Sequence, residues 1–261
     1  MRLVDPHAHL AGERFREDLP EVLERMRGAG MEKCIVISDP CEEPPDFAAA
    51  QALAETQELL YFAAGVHPHN AKRWSDDAQS ALFQALKHPR AVAMGEIGLD
   101  YHYDLSPRDV QIAVFERQLD LAHDWNLPVQ MHIREAHGDA MDILRAHHRA
   151  GTLPSGDMHC FSGSWETAKT YLDMGLFISF SGSVTFKNAS KLLEVAKNVP
   201  AERLLVETDC PYMAPEPLRG RRNEPTFVRH TLLRVAELRG DDPEWLADRV
   251  FQNACALFRL G

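Results

Sequence analysis

Short apolar runs rich in β-favouring residues recur eight times along the chain, and most are followed by a stretch of helical periodicity. The runs are RLVD (2–5), CIVIS (34–38), YFAAG (61–65), AVAMGE (91–96), PVQMH (128–132), GDMHC (156–160), LFISFS (176–181) and RLLVET (203–208). Helical stretches fall at 19–30, 46–60, 108–126, 136–151, 164–175 and 188–199, several ending at Gly or Asn as helix termini do. Strands alternating with helices build parallel βαβ units. Eight such units predict an α/β fold, a (β/α)8 TIM-type barrel forming a single domain over residues 1–261, with an open doubly wound sheet as the alternative. No Gly-x-Gly-x-x-Gly follows the first run, which speaks against a dinucleotide-binding sheet. Two further helical stretches, 226–240 and 242–260, would close the outside of the barrel.

A barrel of this size needs a full core, and 45% hydrophobic residues supply one. No apolar run approaches the roughly 20 residues of a membrane span, and MRLVDPH lacks the pattern of a signal peptide. A cytoplasmic protein with no membrane association and no obligate protein partner is expected. The five cysteines are scattered without a Cys-x-x-Cys, so reduced thiols are expected rather than a disulfide framework or structural zinc. A net charge of −11 disfavours a broad basic face for nucleic acid. It is compatible with a phosphodiester substrate where metal ions supply local positive charge.

Catalytic groups of such barrels stand at the C-terminal strand ends, and the polar residues concentrate there. The first run leads into His7 and His9, the third into His67 and His69, the fourth ends in Glu96, and the fifth in His132. The sixth carries His159, and the eighth leads through Glu207 to Asp209. Strand alternation places His7 and His9 on one side, with Ala8 facing away. One metal would take His7, His9, Glu96 and Asp209. A second would share Glu96 as a bridge and add His132 and His159. Mixed imidazole and carboxylate donors suit zinc or manganese, with magnesium preferring fewer histidines. Two such ions activate a water for hydrolysis, and Asp209 could accept its proton as general base. The residues alone stop at metal-assisted hydrolysis.

In this order, the blocks DPHAHL, GVHPHNA, MGEIGLDY, MHIREA, MHCFSG and LLVETDCPYMAP resemble those of the TatD family of metal-dependent deoxyribonucleases, among the amidohydrolase-like barrels. RGRRNEP is similar to a further loop of that family. The resemblance implies a TIM-type barrel, one to three divalent metals and hydrolysis of phosphodiester bonds in DNA, at an end or on single strands. It implies metal-ligand roles for His7, His9, Glu96, His132, His159 and Asp209, with Glu96 bridging. His67 and His69 match a second histidine pair near the site, for substrate phosphate or an outer metal, and Glu207 matches a position that orients a ligand.

Arg134 beside His132, and Arg219, Arg221 and Arg222 after the last strand, are candidates for pairing with phosphate. Trp74, Tyr101, Phe161 and Tyr212 are candidates for stacking on a base. Two other functions fit the same residues: hydrolysis of an ester or C–N bond in a small molecule or aminoacyl-nucleic acid, and non-catalytic metal or nucleic-acid binding.

Overall fold

Runs such as LYFAA and FISF are buried along their whole length, as strands are when helices cover one face of a sheet and a closed core fills the other. The computed structural model describes residues 1–261. Its strands are β1 (Leu3–Ala8), β2 (Met31–Ser38), β3 (Leu60–Ala64), β4 (Ala91–Asp100), β5 (Val129–Arg134), β6 (Gly156–Met158), β7 (Phe177–Phe180) and β8 (Leu204–Val206). They form one sheet in the order β1 to β8, every neighbouring pair parallel. The helices are α1 (Leu19–Gly28), α2 (Phe47–Thr56), α3 (Asp76–Ala85), α4 (Arg108–Asp124), α5 (His137–Ala150), α6 (Trp165–Asp173), α7 (Ser190–Asn198), α8 (Val228–Arg239) and α9 (Pro243–Phe258). This is the (β/α)8 TIM-type barrel, and the open sheet is excluded. No helix is long and apolar enough to cross a membrane.

Closure is uneven. β8 and β1 share no ladder, only the bridge Ala8–Cys210. The seam is carried by Asp209 N donating to His7 O at 3.0 Å and His9 N donating to Cys210 O at 2.8 Å. Below them, buried Asp5 accepts from the Thr208 amide at 3.0 Å and from the Thr208 hydroxyl. Helices α8 and α9 pack over this seam from outside.

Local chemistry explains the element ends. Ser75, Ser164 and Asp242 cap α3, α6 and α9 by accepting backbone N–H bonds, and Gly151 and Gly240 end α5 and α8 in the left-handed region. Helix α3 falls outside the stretches expected from periodicity, because its ten residues mix Asp, Gln and Ser with only three buried positions. β1 runs through Pro6 to Ala8 and β4 runs to Asp100, both further than expected, whereas β6 and β8 shrink to three residues.

Candidate metal centre

Glu96, in the middle of β4, is buried and faced by imidazoles from four other strands or their following loops. His132 Nδ1 lies 2.8 Å from Oε1, His159 Nε2 3.3 Å and His67 Nε2 3.6 Å. On the other oxygen, Oε2, His7 Nε2 lies at 3.4 Å and His9 Nε2 at 3.8 Å. Asp209 Oδ1 faces the same group, 3.5 Å from His9, 3.9 Å from His159 and 4.0 Å from His7. His7, His9 and His159 thus each see both carboxylates.

Burial by itself would raise Glu96, but the imidazoles of His159, His67 and His7 and the hydrogen bond from His132 hold its carboxyl well below the usual range. Burial likewise opposes Asp209, and the hydrogen bond from His9 with the charges of His159 and His7 brings it below its ordinary value. Burial lowers His7, whose two ring nitrogens are fully enclosed and without a hydrogen-bond partner. A neutral imidazole with an unused lone pair, 3.4 Å from one carboxylate oxygen and 4.0 Å from another, is a donor set for a divalent cation rather than a hydrogen-bond pair. Buried unpartnered nitrogen atoms are costly otherwise. The groups His7–His159–Asp209, His7–His9–Glu96 and His67–Glu96–His132 each bring three donor atoms within 4.8 Å.

His159 Nε2 stands near His7 and Asp209 as well as near Glu96, and it is the one ring nitrogen His159 offers to the site, since Nδ1 faces Glu207. His67 joins Glu96 and His132, but its Nδ1 accepts the His69 amide at 3.2 Å. That leaves the proton on Nε2, which points toward Glu96 Oε1 at 3.6 Å, too far for a hydrogen bond. His69 turns instead to Asp100, its Nε2 2.9 Å from Oδ2.

Supporting residues fix these rings. Glu207 Oε1 lies 2.6 Å from His159 Nδ1 and also accepts the Cys160 amide at 2.8 Å, while Ser179 donates to Oε2. That contact directs His159 Nε2 into the site. Asp100, fully buried, takes His132 Nε2 at 3.1 Å and His69 on Oδ2, and the amides of His102 and Tyr103 on Oδ1 at 2.9 and 2.8 Å. Burial lowers His132, yet its hydrogen bonds to Asp100 and Glu96 outweigh that and push it up to about 9. Asp39 anchors the His67 turn, accepting the His67 amide at 3.0 Å and Asn70 Nδ2 at 2.9 Å. Sequence reasoning passed over Asp100 and Asp39. Alternation continued past Glu96 would have exposed Asp100, four residues on and in the same phase.

Other candidates separate. Arg134 stands over the Tyr103 ring at 4.8 Å without an ion pair. Arg222 is committed to Asp18 through two 2.6 Å bonds and to the Arg14 carbonyl, and Arg219 lies over Phe186. Tyr101 does not present a free ring: its hydroxyl donates to Asp139 at 2.6 Å and Arg108 covers it at 4.3 Å. Phe161 is buried core, and Trp74 packs against the core. Tyr212 is half exposed, its ring 5.9 Å edge-on from His9.

Barrel and donor set together define a protein of the metal-dependent hydrolase class. The chain belongs to the TatD family, since the profile described as "TatD related DNase" matches residues 4–259. It is 40% identical over 258 residues, covering 99% of both chains, to an "Uncharacterized metal-dependent hydrolase YabD" of Bacillus subtilis. A "3'-5' ssDNA/RNA exonuclease TatD" of Rahnella is 36% identical over 97% of this chain and 96% of its own. Among solved structures, YJJV, a TatD homolog from Escherichia coli K12, superposes with a TM-score of 0.90 at 33% identity, covering 98% of each chain.

Proposed function

We propose that this protein is a divalent-metal-dependent phosphodiesterase that removes nucleotides from an end of single-stranded nucleic acid, DNA foremost. The observation that carries this is one buried carboxylate, Glu96, faced by five imidazoles, with Asp209 opposite. Relatives named as single-stranded DNA and RNA exonucleases, at 36% identity over nearly the whole chain, support the substrate class.

His7, His9, Glu96 and Asp209 would hold one ion, and Glu96, His132 and His159 a second, with zinc, manganese or magnesium as candidate metals. When bound, such ions polarise a phosphate oxygen and make water more acidic. Glu96 would serve both positions, one oxygen to each, as its division between His7 and His9 on Oε2 and His132 and His159 on Oε1 suits. Asp209 is more exposed than Glu96, at 14% against 5%, and His9 holds its carboxyl in the ionised form. It orients the attacking water and accepts its proton. Glu207 keeps His159 turned inward, and Arg134 supplies a guanidinium to a phosphate oxygen.

A labelled single-stranded oligonucleotide assayed with Mg2+, Mn2+ and Zn2+ tests this. Cleavage should proceed stepwise from one end, and Asp209→Asn should slow it roughly 10^3-fold, the scale of a lost general base. An intact oligonucleotide beside hydrolysed esters or amides would overturn the nuclease assignment and leave a hydrolase of small molecules.

A further inference from the structure

Two tyrosines stand at the barrel mouth in matching positions that the hydrolytic centre does not use. Tyr103 is three residues after Asp100, and Tyr212 three residues after Asp209. Each hangs on that aspartate: the Tyr103 amide donates to Asp100 Oδ1 at 2.8 Å, and the Tyr212 amide to the Asp209 carbonyl at 2.9 Å. Buried Asn223 adds a second tether by donating to the Tyr212 carbonyl at 2.6 Å. Both rings remain open to solvent, at 54% and 52% exposed. They follow β4 and β8, which lie four strands apart in an eight-stranded barrel and therefore on opposite sides of its mouth.

Each ring also touches the centre and carries an arginine. Tyr103 meets His69 edge-on at 5.4 Å, with Arg134 at 4.8 Å over its ring. Tyr212 meets His9 edge-on at 5.9 Å, with Arg14 at 5.4 Å over its ring. Between them the rings of His9, His7, His159, His132 and His69 follow one another at 3.5–6.2 Å. Neither arginine forms an ion pair; Glu17, in the same cleft as Arg14, is also unpaired, while the other acids around them are engaged. Glu13 is held by Arg16 at 3.3 Å, Asp18 by Arg222 at 2.6 Å, and Glu135 by His102 at 2.8 Å. Two unpaired guanidinium groups, each over an exposed tyrosine, are notable in a chain of net charge −11.

We propose that Tyr103 with Arg134 and Tyr212 with Arg14 form two arms that hold one nucleic-acid strand across the mouth, unpaired bases against the tyrosines and phosphates on the arginines. Stacking tolerates any base, and guanidinium groups bind the phosphates between. Bases within a duplex are stacked on their neighbours and offer no free face to either ring, so the arms favour single strands. This deepens the nuclease assignment above and rests on it for the identity of the strand.

The test is binding by the full-length, metal-loaded protein, followed by fluorescence anisotropy. The probes are a hydrolysis-resistant, phosphorothioate-linked oligothymidylate and an abasic strand of the same length. Tyr103→Ala and Tyr212→Ala should each weaken binding of the thymidylate strand about tenfold, the scale of one lost base stack, while the abasic strand loses far less. Tyr103→Phe and Tyr212→Phe should retain thymidylate binding. Arg14→Ala and Arg134→Ala should weaken both strands and each lower the slope of log K against log salt by about 0.7. Tyr103→Ala and Tyr212→Ala proteins that hold the thymidylate strand as the parent does, or lose both strands equally, overturn the proposal, as does a parent protein that binds neither. Base-dependent loss in a protein that cleaves no strand would uphold the arms and refute the nuclease reaction.

Discussion

Asp100 joins more of the centre than any other residue outside the proposed ligand set. One oxygen holds His69 and His132, the other pins the amides of His102 and Tyr103, and burial leaves no water to replace these partners. Asp100→Asn keeps the shape and an acceptor for the amides but presents an N–H to imidazole nitrogens that now donate. His132 should then swing away from Glu96. Removing a residue that orients a metal ligand typically costs 10–100-fold in metal affinity. Titration against a chromogenic chelator should show that loss for the more weakly held ion, while Asp104→Asn, on the exposed part of the same loop, should not show it. Unchanged affinity would make Asp100 merely a loop anchor. The proposed ligands were more legible in the sequence than this support. His7, His9, Glu96, His132, His159 and Asp209 announce themselves by residue type at strand ends. Asp100 is an ordinary aspartate whose importance depends on β4 running four residues past Glu96.

At the scale of the element, β4 shows how the barrel sets the distance between the proposed ligands. Gly98 lies between Glu96 and Asp100 with φ at +146°, and a Cβ there would stand 2.0 Å from the His132 carbonyl oxygen of β5. The backbones of β4 and β5 therefore touch at the level where Glu96 meets His132. Gly98→Ala must push the strands apart in a conformation that side chains rarely adopt. Its cost should be about 3 kcal/mol, at the upper end for overpacking in a dense core, measured as a shift in denaturant midpoint. Metal binding should fall with it, because the 2.8 Å contact between His132 and Glu96 cannot survive that displacement. A variant of parental stability would show that the two strands slide without strain. The eight strands were legible because each is a compact apolar run. Helix α3 was not, since its short polar turns depend on the Ser75 cap and on packing against the barrel. The shortening of β6 and β8 was also hidden, because side-chain type does not reveal where ladder hydrogen bonds give way to site-forming loops.

Over the whole molecule, the proposed ligands and the barrel's closure are the same structure. β4 and β5 share a ladder from Met94–Val129 to Asp100–Arg134, so Glu96 and His132 are already tied together. β8 and β1 have no ladder, and the amide bonds across their seam come from His9 and Asp209. A cation held by His7 and His9 on one side and Asp209 on the other would therefore brace the barrel where its own hydrogen bonding is thinnest. A ligand at 100 times its dissociation constant stabilises a folded protein by about 2.7 kcal/mol, and chelation should lower Tm accordingly. Hydrogen exchange should locate the loss. Amides of 3–9 and 204–210 should exchange faster after chelation, whereas β4 and β5 should change little because their ladder persists without the ion. In Glu96→Gln, which weakens the cation site without touching the seam amides, the chelator should have little further effect on either segment. Equal acceleration around the barrel would mean that the ion stabilises the fold globally, and the seam would not be its mechanical target.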